Sequence, residues 1–99
     1  IEECKIAIDL DPEYGNPYND IGSYLINLEK HDEAIYWLEK AIEASDYQSK
    51  HFSFYNLGKI YEKKGAWFTA LSYYSEALKI KTDYQLAKDA FVRLTSLMN

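Results

Sequence analysis

Two stretches of the sequence superimpose on one another with a shift of 36 residues. Tyr18, Ile21, Gly22, Leu25, Ala34, Leu38 and Ala41 stand at the same spacing as Phe54, Leu57, Gly58, Tyr61, Ala70, Tyr74 and Ala77. Seven matched positions restrict the chain to an array of like units, because a motif repeated at such a period buries its apolar face against its own copy. Upstream, Ala7 and Pro12 lie 34 residues before Ala41 and Asp46, so the opening stretch from Glu2 to Pro12 reads as the second half of a preceding unit. On that reading the chain starts mid-repeat and is a fragment of a longer repeat protein. Within each unit apolar residues recur at intervals of three and four, as in Tyr18, Ile21, Leu25 and Leu28 or Ile35, Leu38 and Ile42. That period is helical, so each unit is a pair of helices.

Caps and turn residues place the helices. Asp11-Pro12 ends the first helix, because proline cannot continue it and disfavours helical geometry in the residue before. The second is expected over 16–29, with Pro17 in its first turn, and the third from an Asp32 cap to Ser45. A fourth starts at Ser49 or Lys50 and ends near Lys64-Gly65, and a fifth runs over 66–81. A sixth, 83–98, takes Asp83 as its cap and carries Leu86, Ala87, Ala90, Phe91, Leu94, Leu97 and Met98 on one stripe. Gly22 and Gly58 lie inside helices, where glycine costs about 1 kcal/mol relative to alanine. Close helix contact is the offsetting gain, with Gly22 expected against Ala34 and Ala41, and Gly58 against Ala70 and Ala77.

The spacing large-x2-large-Gly-x2-large, followed 12 residues after the glycine by Ala-x3-large-x2-Ala, resembles the tetratricopeptide repeat, a helix-turn-helix unit of about 34 residues. The resemblance implies an all-α fold of tandem antiparallel hairpins in a right-handed α-solenoid. It divides the single domain into the second half of a preceding repeat (1–14), two repeats (15–48 and 51–84) and a capping helix (85–99). Asp46 and Thr82 replace the proline that usually ends a unit, and Glu29 replaces the turn glycine that Gly65 retains, so looser turns are expected there. The extra two residues of the 36-residue period fall between Ser45 and His51. Lys88 and Val92 occupy positions where a full unit would place a large apolar and a small residue, which favours a cap.

Charge narrows the function classes. Eleven basic against 16 acidic residues give a net charge of -5, and phosphate binding needs the opposite balance, so a nucleic-acid partner is not expected. The charge is unevenly spread: residues 1–46 carry 3 basic and 12 acidic side chains, a net of -9, and residues 47–99 carry 8 and 4, a net of +4. The longest uncharged stretch, Gly65 to Ser75, is 11 residues and rich in polar groups, against the roughly 20 apolar residues of a membrane span. No membrane partner is expected, and no signal peptide is read at the N-terminus. The single cysteine, Cys4, permits no internal disulfide, which favours a cytoplasmic setting. His31, His51 and Cys4 share no metal or nucleophile spacing, so the chain is read as a non-enzyme with no metal and no cofactor. Both histidines are expected to face solvent. Tyr18, Trp37, Phe54, Tyr61, Trp67, Tyr73 and Tyr74 fall on packing positions, and Tyr14, Tyr47 and Tyr84 at the ends of units are expected to staple neighbouring units.

The unused face of each first helix carries the functional signal. In one unit this stripe is Asn16, Asn19, Asp20, Ser23, Ile26 and Asn27. In the next it is Phe52, Tyr55, Asn56, Lys59, Glu62 and Lys63. Similarity to the repeat family implies that such positions line a concave groove receiving a peptide or partner helix. That groove would be Asn-rich and acidic at one end, with Tyr55, Lys59, Lys63 and Arg93 at the other. Asparagine amides can hold a peptide backbone, and Phe52 and Tyr55 are bulky for a merely hydrated face. One subclass grips a terminal carboxylate with Lys, Asn and Arg. Here Asn56 and Arg93 match that clamp, while Asn19, Ser23 and Asp89 depart from it, which argues against that partner. The leading reading is a protein-protein interaction module; a structural spacer or head-to-tail self-assembly element is the alternative. Self-association would use Ile1, Cys4, Ile6 and Ile8 on the first helix and Leu86, Phe91, Leu94 and Leu97 on the last.

Overall fold

The three-and-four spacing of apolar residues folds into six helices. The computed structural model describes residues 1–98: α1 (Glu2–Leu10), α2 (Asn16–Asn27), α3 (His31–Glu43), α4 (Lys50–Lys63), α5 (Trp67–Ile80) and α6 (Gln85–Met98). Each helix packs on the next in sequence, and α2 also packs on α4. The result is an elongated array of 47 × 27 × 17 Å and an all-α, tetratricopeptide-like solenoid of helical hairpins. None of the described helices is long and apolar enough to cross a membrane.

Both complete hairpins turn in the same way. In the first, Lys30 N–H donates to Leu25 O and Glu29 N–H to Ile26 O, both at 2.9 Å. In the second, Ala66 N–H donates to Tyr61 O at 2.9 Å and Gly65 N–H to Glu62 O at 3.0 Å. This pair of bonds closes a helix through one residue in the left-handed region. Gly65 occupies it at φ 78° and Glu29 at φ 61°. The turn at Glu29 is therefore not looser: it has the geometry of its glycine counterpart, with a side chain that disfavours it. Asp46 likewise does not loosen its joint. Its N–H, which proline would lack, donates to Glu13 O at 2.9 Å, while Gly15 N–H donates to Asp46 O at 2.9 Å. Glu13 Oε1 also accepts from Ser45 Oγ at 2.9 Å and Ser45 N–H at 3.2 Å. These bonds tie the α1–α2 loop to the α3–α4 loop.

The core is strung along the array in three clusters. Ile21, Leu25, Ala34, Leu38, Leu57 and Ile60 fill the first, between α2, α3 and α4. Tyr18, Ala41, Ala44 and Tyr47 form the second, and Ala70, Tyr74, Ala90 and Leu94 the third. The helix glycines make room chiefly for large side chains, although the expected Ala34 does come near, its carbonyl oxygen 3.6 Å from a Cβ on Gly22. A Cβ on Gly22 would lie 2.5 Å from Leu38 Cδ2, and one on Gly58 would lie 2.6 Å from Tyr74 Cδ1. The alanines stay buried around that contact because only a small residue fits beside a large one seated on a glycine.

Other expectations are corrected by packing. Neither Asp32 nor Asp83 occupies a cap position: α3 begins one residue earlier, at His31, with no side-chain cap bond, and α6 begins two residues after Asp83. Their carboxylates instead pair with Lys64 and Lys81. α3 ends at Glu43, short of Ser45, because Ala44 turns extended. Trp67, expected at a packing position, is 42% exposed at the start of α5. Cys4 and Ile8 pack on the core through α2, and Leu94 is fully buried by α5. Ile1, Ile6, Leu86 and Leu97 do remain exposed. On α6 the packing residues Phe91, Leu94 and Met98 reproduce the spacing of Phe54, Leu57 and Tyr61. Lys88 and Val92 are simply out of that register.

Candidate functional site

The stripe residues of α2 and α4 lie on neighbouring helices, because α2 packs directly on α4. Three hollows lie along α4 on the side that meets α2 and α6, and a fourth, bordered by Phe54 and Leu57, opens toward α3 and α5. At the N-terminal end of α4 Asn16, Asn19, Asp20, Tyr47, Ser49 and Phe52 surround about 190 Å³. Toward its C-terminus, on the α2 side, Ile26, Asn27, Glu29, His31, Lys59, Ile60 and Lys63 surround about 330 Å³. On the α6 side Tyr55, Lys59, Glu62, Lys63, Tyr74 and Arg93 line about 280 Å³. Lys59 and Lys63 line both of the latter. Ser23 is exposed on α2 and lines none of the three.

Two of the expected groove residues are occupied in holding the repeats together. Asn56 is only 8% exposed and its amide donates to Asn19 Oδ1 at 3.3 Å. Ser53 Oγ donates to the same oxygen at 2.7 Å. Since that hydroxyl proton is committed, Tyr47 donates to Ser53 Oγ, at 3.2 Å. A buried polar chain thus joins α2 to α4, and burial pushes the Tyr47 phenol up from its ordinary range. Asn19 and Asn56 set the spacing of the groove walls more than they present free amides. Asn16 and Asn27 remain exposed.

The opposite end is built around Glu62. Its Oε1 accepts from Tyr74 OH at 2.8 Å and from Arg93 Nη2 at 3.0 Å, while Arg93 Nη1 bonds Oε2. This two-pronged pair pins α6 to α4. The Arg93 bond holds the Glu62 carboxyl below the usual carboxylate range, against the effect of burial, and raises the guanidinium further. Burial, followed by the bond to Glu62, lifts the Tyr74 phenol well above its ordinary value. Lys59 is different. Its ammonium lies 5.2 Å from the centre of the Tyr55 ring, and burial, with the charge of Lys63, lowers its pKa.

An aromatic cluster borders this end. Tyr55 lies 5.8 Å from Tyr74 and 5.5 Å from Tyr84, and Phe52 lies 5.8 Å from Tyr84. Tyr84, a unit-end tyrosine, therefore staples α4 to the α5–α6 loop. Its phenol is pushed up to about 12, mainly by burial. His51 joins the cluster, 5.0 Å from Tyr84, and is 8% exposed. His31 is half-buried with a buried Nε2 that has no hydrogen-bond partner. Neither histidine faces solvent as expected: His51 is covered by Phe52 and by Tyr84 of the α5–α6 loop, and His31 lines the hollow between α2 and α4. Tyr74, Tyr47, Ser49 and His31 were not read as groove residues from sequence: Tyr74, Tyr47 and Ser49 lie off the α2 and α4 stripes, and His31 sits at a turn.

The groove therefore offers hydrogen-bonding amides, aromatic surface and separated charges, the equipment of a binding surface. Residues 16–47, which span α2, α3 and the start of the following joint, match the family model of the tetratricopeptide repeat. This segment is a tetratricopeptide repeat. Its glycine, Gly22, and its Ala34, Leu38 and Ala41 are the positions that recur 36 residues on, in α4 and α5. No curated protein matches the chain. Tetratricopeptide repeats are typically non-enzymatic protein-protein interaction modules, which is the class of role that the matched segment suggests.

Proposed function

We propose that the chain binds an extended segment of another protein along the groove between α2, α4 and α6, as one domain of two hairpins flanked by a half unit and a closing helix. The observation that carries this reading is the alignment of three hollows along the α2 and α6 side of α4, two of them sharing Lys59 and Lys63. An extended segment suits them because it leaves its backbone N–H and C=O groups free for Asn16, Asn27 and their neighbours, whereas a helix satisfies its own. Phe52 and Tyr55 then supply apolar contact, and Asn19, Asn56 and the Arg93–Glu62 pair hold the walls apart at fixed spacing.

The test is a selection of random dodecapeptides on the immobilised chain, counter-screened on Ser23→Trp. Ser23 is exposed on α2 between Asp20 and Asn27, which line two different hollows, so tryptophan there is placed to obstruct a segment that runs from one to the other without entering the core. Peptides enriched on the parent and lost on Ser23→Trp and Tyr55→Ala support the reading. Enriched peptides that bind all three proteins equally move the site elsewhere, and the absence of any enriched peptide favours a spacer.

A further inference from the structure

Most cations around the groove already have a carboxylate. Lys63 pairs with Glu29 at 3.5 Å, Lys64 with Asp32 at 2.7 Å, and Arg93 with Glu62. Among the described residues Lys59 has none, although it is half-buried and lines two hollows; its ammonium meets only the Tyr55 ring and the like charge of Lys63. A cation kept partly out of water without a counter-ion is costly in the free protein and favours an anion that arrives from outside. The other end of the groove shows the reverse sign. Asp20 lines the hollow with Phe52, and it too has no ion-pair partner among the described residues.

The spacing of the hollows that these two charges line sets a ruler. Phe52, in the Asp20 hollow, and Lys59 are seven positions apart on α4, about 10 Å along a helix rising roughly 1.5 Å per residue. A polyproline II segment has three residues per turn and advances about 9 Å over that turn, with its first and fourth side chains on the same side. A β-strand places those two side chains on opposite faces. We propose that the groove selects a polyproline-like segment with a basic and an acidic residue three positions apart, the base on Asp20 and the carboxylate on Lys59. This rests on the groove reading above and adds to it the charge pattern of the partner. The chain's own Asp20 and Lys59 thereby discriminate between partners by charge order and spacing, since a like charge at either hollow is repelled.

Four fluorescein-labelled nonapeptides of Pro, Ala and Ser background serve as probes: one with Lys-x-x-Glu, one with Glu-x-x-Lys, one with adjacent Lys-Glu, and one with Gln-x-x-Gln. Each is titrated against the full chain by fluorescence anisotropy and by amide NMR shifts. The expected result is that one of the two spaced peptides binds about tenfold tighter than the adjacent and neutral ones, shifts the amides around Asp20 and Lys59, and weakens with salt. Lys59→Glu should remove that preference, and Lys59→Gln should bring the spaced and neutral peptides level. Melting curves of both variants check that they fold. Groove shifts with equal affinity for all four peptides overturn the charge pattern and leave the groove reading standing. Absence of groove shifts with every peptide overturns the proposal, and the groove reading is then decided by the dodecapeptide selection.

Discussion

Gly58→Ala sets two effects of known size against each other. Alanine favours a helix interior over glycine by about 1 kcal/mol, so on α4 alone the change is stabilising. The structure reverses the sign. The new Cβ would sit 2.6 Å from Tyr74 Cδ1 and 3.0 Å from Cζ, with Cε1 closer still, whereas carbon atoms in contact prefer about 3.5–4.0 Å. The ring must retreat by roughly 1 Å, yet it is fully buried against Ala70, Ala90 and Leu94. Overpacking of this kind costs about 1–3 kcal/mol. Displacing the ring also breaks the 2.8 Å bond from Tyr74 to Glu62, a further loss of about 1 kcal/mol. The net is a destabilisation of about 1–3 kcal/mol, or a fall in Tm of roughly 5–20 °C for a domain of this length. Thermal and urea melts read it directly. Gly58→Ala combined with Tyr74→Leu should lose less than the sum of the two single changes, because the smaller side chain vacates the space. A Gly58→Ala protein that melts at or above the parent would refute the account of why α4 and α5 meet here.

Three further outcomes follow from the same contacts. Glu29→Gly should stabilise by about 1 kcal/mol, because it frees the left-handed residue at φ 61° and gives up only an exposed 3.5 Å pair with Lys63; urea denaturation midpoints measure it, and a loss of stability would contradict the strain. Ser53→Ala should cost about 1–3 kcal/mol by leaving the buried Tyr47 hydroxyl unpaired, and Asn56→Ala should also lower Tm, so loss of binding in that variant must be read beside its melt. Burial first, and the charge of Lys81 second, hold the His51 pKa below 6.5, with Asp83 opposing. A depressed folded value means that His51 contributes fully above pH 6.5 and that the contribution is lost as pH falls from there through the folded pKa; His51→Phe should therefore show a shallower fall in stability between pH 7 and pH 5, and equal slopes would remove the histidine from the effect.

Residue spacing alone determined the helices and their pairing. Intervals of three and four fix helical period, and the 36-residue echo from Tyr18 to Ala77 fixes that the hairpins stack, because both are properties of a one-dimensional pattern. The same pattern placed Asn16, Asp20, Tyr55, Lys59 and Lys63 on the faces that border the hollows. What the pattern could not carry is what each side chain meets across helices. Asn56 and Asn19 looked like free amides on a stripe, and tertiary packing spends them on Ser53 and on one another. Leu38 and Tyr74, more than the alanines, fill the space over Gly22 and Gly58. The cap expected at Asp32 gave way to a pair with Lys64, which only the folded chain brings near, and Asp83 pairs with Lys81 two residues before it. Local periodicity is a sum over neighbours in sequence, whereas hydrogen bonds, ion pairs and the unpaired charge of Lys59 depend on distances between helices, which exist only once the hairpins have docked.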